Sequence, residues 1–110
     1  MSKKMSGAKS LVQSLESAGV DVMFGIPGGA ILPAYDPIFD SSIRHILVRH
    51  EQGAGFMADG HARISGKPGV CVLVSGPGVL NAATPIAQAW HDSIPMLVLA
   101  RISPSHPDKR

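Results

Sequence analysis

This 110-residue sequence predicts an α/β fold, a parallel sheet of about four strands with helices on both faces. Three observations carry the prediction. Short apolar runs alternate with helix-periodic segments, in the order helix, strand–helix three times, strand. Gly-rich or Gly-ended loops follow the first three runs, at residues 25–29, 49–53 and 75–78, where the carboxyl ends of parallel strands would share one edge. Hydrophobic residues make up 45% of the chain and charged residues only 16%, which suits strands buried on both faces and excludes a disordered polar chain. The length fits one domain that can bury a core without disulfide or metal staples.

The elements follow in order. Ala8, Leu11, Val12 and Leu15 repeat at helical spacing, so residues 7–18 read as a helix with Ser6 as its cap and Gly19 just past its end. Val20–Phe24 reads as a strand and Gly25–Gly29 as a tight loop. Ala30–Phe39 reads as a short helix that Pro33 and Pro37 break or delay. Ile43–Val48 is a second strand. A helix from Glu51 to Ser65 ends at Gly66. Its Ala54, Ala58 and Ala62, with Gly55 and Gly60 nearby, form a small-residue face suited to close packing on the sheet or on a partner chain. Val70–Val74 is an apolar strand, Ser75–Gly78 a loop, and a further helix runs to Trp90 with Thr84 as cap and Pro85 at its first position. Ile94–Leu99 is the fourth strand. Residues 1–100 are thus read as one domain and 101–110 as a polar tail.

Several function classes find no support. Ten Lys and Arg against eight Asp and Glu give a formal charge of +2. Lys3, Lys4 and Lys9 lie at one end and Lys109 and Arg110 at the other, with no basic-aromatic stripe for nucleic acid. No apolar run reaches membrane-spanning length, and no apolar core follows the N-terminal lysines as in a secretory signal, so the cytoplasm is expected. Cys71, the single cysteine, lies in an apolar run and reads as a small core residue. No histidine stands at zinc-ligand spacing. Gly53-Ala54-Gly55-Phe56-Met57-Ala58 fits a dinucleotide fingerprint by letter, but residues 73–78 lack the acid that would bind the ribose, and Glu51 stands where a pyrophosphate would approach. There is no phosphate-binding P-loop and no nucleophile elbow.

Glu51 remains. A glutamate at a helix start is ordinarily just favourable with the helix dipole. This one follows a strand, between Arg49-His50 and a small-residue helix, on the same edge as two Gly-Pro loops.

Ile26-Pro27-Gly28-Gly29-Ala30, Arg49-His50-Glu51-Gln52-Gly53-Ala54, Met57-Ala58-Asp59-Gly60, Ser75-Gly76-Pro77-Gly78 with Asn81, and Asp92-Ser93-Ile94-Pro95 together resemble thiamine diphosphate enzymes of the acetolactate synthase (acetohydroxyacid synthase) group. The likeness runs from about Ser6 to Ala100. It implies an incomplete, flavodoxin-like N-terminal pyrimidine-binding domain. It implies that Glu51 is catalytic, hydrogen-bonding N1′ of the aminopyrimidine and favouring the imino tautomer that takes the C2 proton of the thiazolium. The resemblance places Pro27, Gly28, Gly76, Pro77 and Asn81 at the cofactor, and Gly28, Gly29 and Ala30 in a loop on the substrate side. The implied activity is that of a carboligase or lyase acting on 2-oxo acids such as pyruvate, in branched-chain amino acid biosynthesis.

The resemblance also implies what this stretch does not hold. Mg²⁺ and the diphosphate belong to a Gly-Asp-Gly…Asn motif in a separate domain, and FAD to a middle domain. The expected state is therefore a homo- or hetero-oligomer with a chain carrying the diphosphate-binding domain, inactive alone. The alternative is a non-catalytic remnant or interaction module that pairs with full-length relatives. Arg101-Ile102-Ser103-Pro104 stands where the synthases read Gly-Gln-Val-Pro, and Val79-Leu80 replaces their Ala-Thr.

Overall fold

A computed structural model describes residues 4–28 and 32–100. The substrate-side Gly29 and Ala30, and the tail 101–110, lie outside the described residues. Nine elements follow: α1 (Gly7–Ser17), β1 (Val22–Gly25), α2 (Leu32–Phe39), β2 (Arg44–Leu47), α3 (Glu51–Ser65), β3 (Gly69–Leu73), α4 (Pro77–Asn81), α5 (Ala83–His91) and β4 (Met96–Ala100). The four strands form one all-parallel sheet in the order β2-β1-β3-β4. The α/β class, the strand number and the parallel direction are as expected.

Helices cover both faces. Val70 and Val72 of β3, with Met23 of β1, pack against Val12 and Leu15 of α1 and Ala34 and Ile38 of α2. The alternate residues Cys71 and Leu73, with Phe24, pack against Ala54 and Ala58 of α3 and against Ala82 between α4 and α5. The strand period of two deals successive side chains to opposite faces, and each face has a helical layer to receive them. All five residues of β3 are buried, which is why that run carries no polar residue. Burial pushes the Cys71 thiol up to about 11, so it is protonated and inert at neutral pH.

Local chemistry sets the ends. Ser6 caps α1 by accepting from the Lys9 amide at 3.1 Å. Gly19 adopts φ +86° and ends that helix. Val20 does not join β1, because its amide donates back to the Leu15 carbonyl. Gly66, at φ +73°, ends α3 where expected.

Two expectations on the later helices need correction. The Ser75–Gly78 segment is not all loop: Pro77 is the first residue of α4, with Gly76 as its cap. Thr84 is not a cap and Pro85 is not first in its helix; the break falls at Ala82, so Pro85 sits third in α5. The first amides of a helix have no intrahelical acceptor, so a proline there costs no hydrogen bond. The start of β4 also moves to Met96. Ser93 at φ +58° and the Ile94 amide bonded to Ala89 O close α5 first.

The small-residue face of α3 finds its cause inside the chain. Ala54 and Ala58 pack on the sheet, Ala62 is buried too, and a Cβ on Gly55 would run into the Pro85 ring of α5.

Candidate functional site at the carboxyl edge of the sheet

In a parallel sheet all strands end on one edge. From β1 the chain moves out to β2, then crosses back over β1 to β3. The segments after β1 and β3 therefore leave toward opposite faces, at the switch point where open α/β sheets form their ligand crevice. Three segments meet there. The loop after β1 brings Pro27 and Gly28, the start of α3 brings Glu51, and the segment after β3 brings Val74, Gly76, Pro77 and Gly78.

Val74 is the shared floor. A Cβ on Gly28 would run into its side chain, and one on Gly78 would stand 3.3 Å from its Cβ. Absent side chains at 28 and 78 thus let both loops lie on one valine. The same added Cβ at position 78 would be 3.7 Å from Glu51 Oε2, which places the carboxylate on the wall of this crevice. Below the first loop, Tyr35 Oη and His45 Nε2 hydrogen-bond at 2.9 Å beneath Gly25. Burial pushes that phenol up to about 12, so it is a neutral hydroxyl.

Glu51 is the first residue of α3, and His50 caps the helix by accepting from the Gln52 amide through Nδ1 at 3.0 Å. Asn81, the last residue of α4, donates from Nδ2 to Glu51 Oε1 at 3.0 Å. That bond, with one from the Glu51 backbone amide and the nearby His50, holds the carboxyl below its ordinary value against a smaller opposing effect of burial. The side chain is an ionised acceptor at neutral pH, held at a helix N-terminus.

The structure thus brings together Gly28, Glu51 and Asn81 of the sequence-named residues. Gly76 and Pro77 start the short helix whose far end carries Asn81, and Pro27 is exposed at the loop. Sequence reasoning missed Val74 as the floor, reading it as the last residue of a strand. It missed His50 as a cap, because histidine is outside the usual Ser, Thr, Asn and Asp set. It also missed Arg63, which donates from Nε to Asp59 at 2.9 Å and from Nη2 to Asp92 at 2.6 Å, joining two of the quoted motifs. The i, i+4 spacing of Asp59 and Arg63 was the available signal.

An apolar floor, two glycines and a carboxylate with an amide neighbour suit a flat heteroaromatic ring carrying a basic nitrogen. The residues present fit the pyrimidine half of thiamine diphosphate. Among the described residues, no group of three or more His, Cys, Asp or Glu is placed to hold a metal ion.

The sequence agrees with that fit. Residues 5–109 match the family described as "Thiamine pyrophosphate enzyme, N-terminal TPP binding domain", and the chain belongs to this family. Among named relatives, it is 56% identical over 98 residues to an acetolactate synthase of Mycobacterium bovis, covering 88% of this chain and 16% of that protein. To the acetolactate synthase isozyme 1 large subunit of Escherichia coli it is 54% identical, covering 88% of this chain and 17% of the relative. It is also 54% identical to a "probable 2-ketoarginine decarboxylase" of Pseudomonas aeruginosa, over 94% of this chain and 18% of that protein. The chain therefore spans less than a fifth of the length of these relatives.

Proposed function

We propose that this chain supplies the pyrimidine-binding wall of a thiamine diphosphate-dependent enzyme acting on 2-oxo acids, in the manner of an acetolactate synthase. The observation that carries the reading is the Glu51 carboxylate, fixed by Asn81 on the wall of the switch-point crevice. In this reading Pro27 and Gly28 border the ring, with Gly29 and Ala30 continuing the loop toward substrate. Gly76 and Pro77 set the position of Asn81. Bound thiamine diphosphate supplies the electron sink for loss of CO₂ from a 2-oxo acid. Glu51 holds a proton at N1′ of the ring, Asn81 orients the carboxylate, and Val74 keeps the floor dry. In the open chain the Asn81 bond holds the carboxyl below its ordinary value. A second domain closing over the crevice excludes water and moves the carboxyl upward, toward a value at which proton sharing is efficient.

The closing domain carries the diphosphate and Mg²⁺, and FAD where the complete protein has it, so the working form is a homo- or hetero-oligomer, with residues 1–100 as an incomplete pyrimidine-binding domain. The cytoplasm is the setting this reading takes. No helix among the described residues is long and apolar enough to cross a membrane. The reading is tested in an enzyme assembled with a diphosphate-domain partner. There Glu51→Gln should suppress exchange of the cofactor C2 proton, followed by NMR, by at least about 10²-fold. Exchange at the unsubstituted rate would remove Glu51 from this role. In the same assay the chain without its partner forms no acetolactate from pyruvate with cofactor and Mg²⁺ present.

A second reading keeps the cofactor and changes the product. The similarity to a protein named as a 2-ketoarginine decarboxylase favours decarboxylation without carboligation, and Arg101-Ile102-Ser103-Pro104 departs from the synthase pattern at the same time. Product analysis with pyruvate and with a guanidino 2-oxo acid separates the two. A non-catalytic pairing module is the remaining alternative; the absence of a Gly-Asp-Gly…Asn segment from both the gene and its partners would favour it.

A further inference from the structure

We infer that His50 is a positioning residue for Glu51, its neutral imidazole capping α3 so that the carboxylate faces Asn81. The inference rests on the reading of Glu51 given above. His50 has extended backbone (φ −151°, ψ 140°), as an N-cap requires, and its Nδ1 lies 3.0 Å from the Gln52 amide. A backbone amide only donates, so Nδ1 carries the lone pair and Nε2 the proton. The Ala54 amide bonds the His50 carbonyl at 3.3 Å, so one residue serves the helix start with both side chain and main chain.

The choice of histidine has a chemical consequence. An aspartate cap would put a second anion one residue from Glu51, and like charges resist ionisation of both. The imidazole satisfies the amide without adding an anion beside Glu51. The first turn of α3 has no other acidic residue and no serine or threonine to take over the cap. If this turn frays, Glu51 leaves the 3.0 Å bond that joins α3 to α4 across the crevice.

The test uses the 110-residue chain with His50→Ala and His50→Asn, Asn being a good neutral cap. Long-range ¹⁵N NMR should show His50 protonated at Nε2 and bare at Nδ1. His50→Ala should speed exchange of the Gln52 amide about fivefold or more, the factor that loss of a good cap corresponds to. It should also raise the midpoint of the Glu51 carboxyl ¹³C titration toward the ordinary glutamate value. His50→Asn should return both readouts most of the way. Unchanged exchange and titration in His50→Ala would overturn the inference, as would a proton on Nδ1. Failure of Asn to rescue would show that the imidazole acts by its charge and not as a cap, and would overturn it too. None of these readouts contains cofactor, so they stand or fall separately from the C2-exchange assay on Glu51→Gln.

Discussion

Glu51 shows what a single residue type can and cannot disclose. Its place at a strand–helix junction on the Gly-Pro edge is legible from neighbours in sequence. Its partner is not, because Asn81 lies 30 positions away and reaches it only through the fold. That bond is the leading cause of the lowered carboxyl, so Asn81→Ala should move the Glu51 titration upward. The sign for stability follows. A carboxyl held below its ordinary value stabilises the fold above about pH 4.5, and that contribution fades as pH falls through the lower folded value. Acid unfolding of Asn81→Ala should therefore begin at higher pH than that of the unsubstituted chain. Coincident acid transitions would show that the bond adds nothing in solution. Since the side chains are largely solvated, the difference should be modest.

Among the elements, α1 and α3 were legible nearly to the residue, because each carries a periodic apolar face and an ending glycine. The segment from Pro77 to His91 was not. A proline at position 85 can mark a first helical residue or sit third, and sequence alone gives no means of choosing. The choice is made by packing: the Pro85 ring fills the space that Gly55 leaves on α3. The end of α5 was legible to within a residue, Trp90 against His91, but the way it closes was not. Ser93 holds the left-handed φ of +58° that a glycine would mark, and the Ser93 and Ile94 amides bond back to Trp90 and Ala89. A serine there is strained. Ser93→Gly should relieve the strain at some cost in unfolded-chain entropy, for a net gain of about 0.5–1 kcal/mol in denaturant unfolding. A loss of stability would mean that the serine side chain does something the backbone geometry does not reveal.

On the scale of the whole molecule, the low charge of the sequence acquires a location. Ile64 on α3 and Trp90 on α5 are 91% and 87% exposed, and Phe56, Met57 and Leu80 also face outward. The Arg63–Asp92 ion pair brings the carboxyl ends of α3 and α5 together, so Ile64 and Trp90 stand at the same end of this helical layer. Among the described residues both sheet edges are open as well: β2 lies at one end of the strand order and the apolar β4 at the other. Outward apolar residues on helices that already cover the sheet make an exposed apolar surface of the kind that drives association. The chain alone should then self-associate through whichever surface dominates. Ile64→Lys with Trp90→Lys should lower the sedimentation-averaged mass at a given concentration and leave the unfolding midpoint within about 0.5 kcal/mol, because neither side chain is packed in the core. If the mass stays unchanged, association runs instead through the β4 edge. A charge placed at Leu97, which is 40% exposed on that strand, should then reduce it. Inverting those two responses would reassign the sticky surface from the helical layer to the sheet edge.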